Sequence, residues 1–417
     1  MRESKNLEYK ENTGSNTYMK TISAYANYGD GEIIFGIADD GKTVGIPDPE
    51  RECLNLENKI NDSIKPVPKY RLEVRDDSTI LLTVFEGRYK PYLYKGKAYK
   101  RNASATVETE RLEYNRLILE GRNQSFEELP SEEQNLTFLE LEKELVRTLG
   151  IQKLSTDILK TLELYSEREG FNNAAALLAD DNSFKGVDIV RFGDDINEIM
   201  DRESFEKTSI LIQMKKSMEM FRKYYQYEKI EGMERKVLER VPENAFREAL
   251  ANALVHRLWD MPASVKISMY KDRIEISSPG GLPAGISREE YLDGQISMLR
   301  NPIIGNVFFR LRYIEKFGTG IMRINNAYAG ALKKPSYKIY ENSILVVLPV
   351  IEADNVLTDF EKRVVDILMQ NEDMTRAGIE KAIGAGKDKT IRALNALLEK
   401  NVIGRKGMGR GTRYSML

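Results

Sequence analysis

The chain has 417 residues, 41% of them apolar and 31% charged, with a net charge of −2. That balance suits several folded domains and excludes wholesale disorder. A single cysteine, Cys53, and a single histidine, His256, exclude a disulfide framework, a cysteine-built zinc site and any multi-histidine metal site.

No apolar run approaches the ~18 residues of a membrane span. The opening MRESKNLEYKEN is charged with no apolar stretch behind it, so the expected location is cytoplasmic. The small net charge hides segregation. Lys387–Arg413 holds eight basic residues against two acidic ones, Arg88–Arg101 holds six and none, and Asp180–Glu206 holds nine acidic against three basic. Basic islands in a near-neutral chain fit local contact with a polyanion.

In chain order, the spacing predicts a helix over Ser15–Tyr28, a buried strand over Glu32–Ile37, and a hairpin closed by Asp39-Asp40-Gly41 onto Thr43–Ile46. Strands are expected at Arg71–Arg75, Ile80–Glu86 and around Lys97–Arg101, then a helix from Glu110 that fades into a linker near Leu129-Pro130-Ser131. Helices follow at Thr137–Arg147 and Ser155–Leu164, another element opens at Gly170–Asn173 with Ala174–Ala179 behind it, and a strand is expected at Val187–Phe192. A long charged helix is predicted over Arg202–Glu228 and a strongly helix-forming stretch over Glu243–Leu258. Paired strands at Val265–Tyr270 and Arg273–Ser277 and a strand at Ser343–Val350 precede a second linker, Glu352–Asn355. Helices at Thr358–Gln370, Thr375–Ile383 and Lys387–Lys400 end in a glycine-rich basic hairpin. The expected fold class is therefore α/β (α+β) and multidomain, divided at 1–115, 120–351 and 356–417.

Three short helices followed by strand, glycine turn and strand resemble winged helix-turn-helix regulators. On the third helix, Lys389, Thr390, Arg392 and Asn395 read as the outer, base-reading face. Arg405, Lys406, Arg410 and Arg413 of the wing would meet phosphates. The competing reading is a protein-contact domain with a solvated basic face.

In the middle, Arg247-Glu248-Ala-Leu-Ala-Asn252-Ala-Leu-Val-His256-Arg257 sets a carboxylate and an amide one helical turn apart. The amide oxygen suits Mg²⁺ beside phosphate, and the carboxylate suits polarising a water. Then come Ser278-Pro279-Gly280-Gly281 after a strand, Arg300-Asn301-Pro302 before a helix, and Gly318-Thr319-Gly320 opening a helix, the last a natural phosphate cradle. These four motifs together resemble the divergent GHKL-type ATP-binding module described as the C-terminal part of an ATP-dependent DNA helicase. The resemblance implies ATP and Mg²⁺, with Glu248 as the water-activating carboxylate of any hydrolysis and Asn252 as the Mg²⁺ ligand. It makes Gly280 and Gly281 the first glycine box and Gly318, Thr319 and Gly320 the second. Ser278 stands where that family usually has the adenine-binding aspartate. No G-x-x-x-x-G-K-[ST] loop is present, so no helicase follows.

At the N-terminus, Glu3 through Lys10, Ile22–Asn27 and Gly31–Gly41 together resemble the Schlafen-type, Alba-like nucleic-acid-binding domain. Some of its members are metal-dependent RNases that use three carboxylates. Glu3 and Glu8 match two of them in spacing, and Asp39 or Asp40 matches the third in kind; Mg²⁺ or Mn²⁺ would be the metal. Alternatively Glu3 is a frayed terminal residue and Asp40-Gly41 plain turn chemistry. Arg88, Lys90, Lys100 and Arg101, with Tyr89, Tyr92, Tyr94 and Tyr99 between them, would grip a strand by charge and stacking. The other reading has the tyrosines filling a sheet face. The whole predicts an ATP-binding, DNA-binding transcriptional regulator, a homodimer in which nucleotide gates DNA or RNA affinity. The alternative is a Schlafen-like nuclease cutting tRNA, rRNA or single-stranded DNA in RNA processing or phage defence.

Overall fold

The computed structural model describes residues 3–231, 234–283, 285–294, 298–315, 318–351, 357–400, 402–407 and 409–416, without the side chains of Glu231 and Arg410. The linker expected at Glu352–Asn355 lies outside the described residues. The chain forms two compact units, one ending at Phe126 and the other starting at Glu127.

The first unit runs β1 (Leu7–Lys10), α1 (Tyr18–Tyr28), β2 (Gly31–Phe35), α2 (Pro49–Ser63), β3 (Ile64–Lys65), β4 (Tyr70–Val74), β5 (Ile80–Val84) and β6 (Leu93–Tyr94), then β7 (Tyr99–Asn102), β8 (Ala105–Glu108) and α3 (Arg111–Gly121). Its sheet has the order β1-β2-β5-β4, with β1 and β2 parallel and the other pairs antiparallel. The near-continuous apolar runs GEIIF and ILLTV take the two central places, as strands covered on both faces should. Helix α1 is buried along almost its whole length. Its polar members are satisfied inside: Ser23 Oγ and Asn27 Nδ2 donate to the Tyr92 carbonyl at 2.7 and 2.9 Å, and Tyr92 N–H donates to Asn27 Oδ1 at 2.8 Å.

Two expectations change here. The segment Thr43–Ile46 does not form a strand, and only Ile37 and Thr43 pair as an isolated bridge. Helix α2 was not foreseen. It is highly charged and buries only Leu56 and Ile60, so one thin apolar stripe holds it.

The second unit opens with α4 (Leu139–Leu149), α5 (Thr156–Thr161), β9 (Tyr165–Ser166), β10 (Gly170–Phe171) and α6 (Asn173–Leu178). It continues through β11 (Val187–Phe192), β12 (Ile199–Phe205), α7 (Ile210–Tyr225), β13 (Gln226–Glu231), β14 (Glu234–Glu239) and α8 (Glu243–Val255). Next are β15 (Val265–Met269), β16 (Arg273–Pro279), α9 (Arg288–Asp293), α10 (Pro302–Arg310), α11 (Gly320–Ala327), β17 (Ser336–Ile339) and β18 (Ser343–Pro349). Six strands form one mixed sheet, β12-β11-β15-β16-β18-β17, in which only β11 and β15 are parallel. Helices α7 and α8 lie against it, joined by Phe221 and Phe246, whose rings stack at 4.4 Å. The helix predicted over Arg202–Glu228 is shorter than its charge pattern suggests. Its first residues are edge strand β12, paired with β11, and its last belong to β13.

The last segment holds α12 (Asp359–Met369), β19 (Met374–Thr375), α13 (Arg376–Ile383), α14 (Lys387–Glu399), β20 (Ile403–Lys406) and β21 (Arg413–Met416). Three helices pack around Val364, Leu368, Ile379, Leu394 and Leu397, and β19-β21-β20 forms an antiparallel flap. Leu332 packs against that core, so the segment clusters with the second unit.

Candidate nucleotide site

Helix α8 supplies one wall of a cavity in the second unit. Its alanines at 245, 249, 251 and 253 are small enough to let β16 and α11 approach closely. Glu248 and Asn252 project toward the start of α11. A Cβ added at Gly320 would fall 2.6 Å from Asn252 Nδ2 and 2.9 Å from Glu248 Oε1, so a larger residue there would have to push those two side-chain ends aside. Thr319, the residue before α11, makes no side-chain cap bond to the first-turn N–H groups of that helix.

The first glycine turn closes the opposite end. Gly280 has φ +106°, and a Cβ on it would lie 2.5 Å from the Arg300 guanidinium; one on Gly281 would lie 2.2 Å from the Glu341 carbonyl oxygen. Arg300 donates to the carbonyls of His256 and Gly281, each at 2.8 Å. Asn301 donates to those of Val255 and Arg257 at 2.7 and 2.9 Å. The RNP segment therefore caps the orphan carbonyls at the C-terminal end of α8 and ties that end to the glycine turn. Sequence reading flagged the tripeptide without this role, because the cap joins positions more than forty residues apart.

Glu248, Asn252, Ser278, Gly280, Gly281, Gly318 and Gly320 all line this one cavity, with His256, Tyr291, Arg300 and Glu315. Ile276, Ile314, Ile321, Ile344 and Val346 make its apolar wall, and it encloses about 1000 Å³ of empty space continuous with solvent. Ser278 Oγ donates to the Ala253 carbonyl at 2.8 Å, so its proton is committed and its lone pairs remain as acceptors. Glu248 is 3% exposed, and burial raises its carboxyl pKa; Arg323 and Arg247 act against that rise and Glu315 with it. Burial, with Arg300 beside it, pushes His256 down to about 4, which leaves a neutral ring in the cavity wall. Arg257 faces away. It is fully buried, donates to the Lys185, Gly186 and Ala263 carbonyls, and stacks on Trp259 at 4.0 Å.

One buried acid escaped sequence reading. Glu127 is completely buried and accepts from Ile303 N–H at 2.5 Å and Ile304 N–H at 2.9 Å, capping α10 from 176 residues away. Burial pushes its carboxyl up to about 8, against the pull of those two N–H groups. No local pattern announces such a distant cap.

Of the first unit's candidate carboxylates, Glu3 and Glu8 meet at one arginine, Arg101. Glu8 is 4% exposed and is met by Arg101, by Lys10 at 2.7 Å and by the Thr21 hydroxyl at 2.6 Å. Glu3 also accepts from Arg101, at 3.4 Å. Asp39 is exposed, and Asp40 is exposed and held by Lys42 at 2.7 Å, whose hydrogen bonds lower its pKa. Among the described residues no three His, Cys, Asp or Glu side chains are grouped to hold a metal ion.

The basic run behaves differently from the strand-gripping expectation. Arg101 is buried on Glu8 and Glu3, Lys90 is paired with Glu86 and Glu120, and Lys100 with Glu113; Arg88 is exposed. Tyr92, Tyr94 and Tyr99 sit in the core and only Tyr89 is open, at 76% exposure. At the other end of the chain, Lys389, Arg392, Asn395, Arg405, Lys406 and Arg413 are exposed, with Arg413 paired to Asp373. Thr390 is not on that face. It is fully buried and donates to the Gly386 carbonyl at 3.2 Å. The Arg410 side chain lies outside the described residues.

Two family models match. Residues 3–110 match "Schlafen, AlbA_2", and residues 263–348 match "Putative ATP-dependent DNA helicase recG C-terminal". The second match begins after α8, so it includes both glycine turns and omits Glu248 and Asn252. Among solved structures, the DIP2311 protein from Corynebacterium diphtheriae is similar in fold. It has a TM-score of 0.51 and 17% identity, over 99% of this chain and 92% of that one. No curated protein matches. The chain thus joins a Schlafen, AlbA_2 domain to a module of the recG C-terminal, ATPase-like type. Among the described residues no helix is long and apolar enough to cross a membrane.

Proposed function

We propose that this protein is a cytoplasmic, dimeric, nucleotide-responsive regulator that binds ATP–Mg²⁺ in the second unit and DNA through its last segment. The convergence of Glu248 and Asn252 with the two glycine turns carries the reading. Adenine would lie against the Ile276–Ile344–Val346 wall, with the Ser278 oxygen accepting from its amino group. The triphosphate would reach the start of α11. The donor set fits a phosphate-bound Mg²⁺: Asn252 offers one amide oxygen, and such an ion draws its remaining ligands from phosphate and water. Any hydrolysis would be slow and would use Glu248 as the acceptor of the water proton.

In the last segment, exposed Lys389, Arg392 and Asn395 on α14 and exposed Arg405 and Lys406 on the β20–β21 flap support a winged helix reading a major groove. The AlbA_2 match supports a second nucleic-acid contact in the first unit. The nuclease alternative gains no support, because Glu3 and Glu8 serve Arg101. Titration calorimetry with a non-hydrolysable ATP analogue tests the central point. Binding that requires Mg²⁺ and is lost in Asn252→Ala is the expected result; binding indifferent to both would sink the proposal.

A further inference from the structure

Between α7 and α8 the chain forms a two-stranded ribbon, β13 against β14, that joins no other sheet among the described residues. Its base is held where Arg240 N–H donates to the Tyr225 carbonyl at 2.8 Å. Beyond that base both faces are open to solvent: Tyr227 is 47% exposed, Val237 61% and Ile230 73%. An isolated two-stranded hairpin is at best marginally stable in water, so a ribbon this exposed calls for a cover. Gln226–Glu239 carries four acidic residues against three basic ones, which argues against nucleic acid as that cover.

The register indicates what covers it. Glu228 stands opposite Val237, and Ile230 stands opposite Arg235, all four on one face. One diagonal of this square is apolar, Ile230 with Val237. The other is ionic, with Glu228 and Arg235 bridged at 3.0 Å. A two-fold axis along the apolar diagonal lays Ile230 and Val237 over their own counterparts and brings Glu228 onto Arg235 of the second copy. That self-match is what an isologous interface requires.

We infer that the β13–β14 ribbon is a dimerisation arm whose partner is the same ribbon of a second copy of this chain. A ribbon face is small beside the roughly 800 Å² per partner of a standard interface, so the dimer is expected to dissociate on dilution. This arm stands independently of what the cavity binds.

Charge reversal tests it in the full-length protein. Sedimentation velocity over a concentration series should show the wild type passing from monomer to dimer. Glu228→Arg alone and Arg235→Glu alone should each weaken dimerisation about ten-fold or more, by placing like charges across the axis. An equimolar mixture of the two variants should regain the dimer, since each arginine then faces a glutamate of the other chain. Within each variant ribbon the internal pair stays broken, so recovery on mixing reports the contact between chains alone. Circular dichroism should show both variants folded. A wild type that stays monomeric up to its solubility limit overturns the inference, and so does a mixture no better than its components.

Discussion

Two glutamates are equally hidden and meet opposite fates. Glu8 in the first unit and Glu248 in the second are 4% and 3% exposed. Glu8 has an arginine, a lysine and a hydroxyl around it. Among the described residues no side chain hydrogen-bonds to Glu248; it feels Arg323 and Arg247 only at a distance, and its pKa rises. A buried acid that is fully partnered is part of the scaffold. One that is desolvated and left facing a cavity is poised for ligand chemistry. The comparison separates a carboxylate held inside its fold from one left facing a cavity, two cases that spacing in sequence does not distinguish.

The sharpest way to break this contrast is at Glu8. Glu8→Ala leaves buried Arg101 with Glu3, at 3.4 Å, as its remaining carboxylate, and should cost the first unit up to about 3 kcal/mol in denaturant unfolding. Glu248→Gln should change stability by less than about 1 kcal/mol while removing any hydrolysis. If the two substitutions cost the same, the distinction is wrong.

Acid should act next, on a third glutamate. Burial alone would raise Glu144, but hydrogen bonds from Lys215, Arg147 and Tyr313 outweigh it and bring the carboxyl down to about 2. A depressed folded-state pKa contributes stability that is complete above the ordinary carboxylate range and lost as pH falls toward 2. The amount is about 3 kcal/mol, read as the part of the acid-induced Tm decrease that Glu144→Gln abolishes.

Gly320→Ala should cost about 1–3 kcal/mol by forcing Asn252 aside, and should lower nucleotide affinity at least about ten-fold in calorimetry. The smallest effects lie on the outer face of α14 and its flap. Lys389→Ala and Arg405→Ala should each reduce the slope of log affinity for DNA against log salt by about 1. Thr390→Val should leave that slope alone, because its hydroxyl is turned inward.

Local patterns revealed most of this fold. The helices α1, α8, α12, α13 and α14 and the strands β4, β5, β11, β15, β16 and β18 all announce themselves through period, propensity or punctuation. What escaped depends on partners far along the chain. Edge strand β12 reads as helix because its charges are spaced to suit either, and only pairing with β11 decides. Tyr92, Tyr94 and Tyr99 look like a stacking surface until α1 is laid over them. The cavity was legible as motifs, since glycines and an E-x-x-x-N helix leave local marks. Of its braces, Arg300 and Asn301 show in sequence as a tripeptide without a role and Glu127 leaves no mark, because all three act across long separations.

Glu127 has a mechanical meaning. The residue that begins the second unit is also the clasp on α10, the helix whose leading residues brace the cavity rim. A pull on the chain at Glu127 therefore bears directly on α10, beside that rim, while Leu129 and Ser131 share the load through their own backbone bonds. Conversely, a guest that stiffens the rim makes the clasp harder to open.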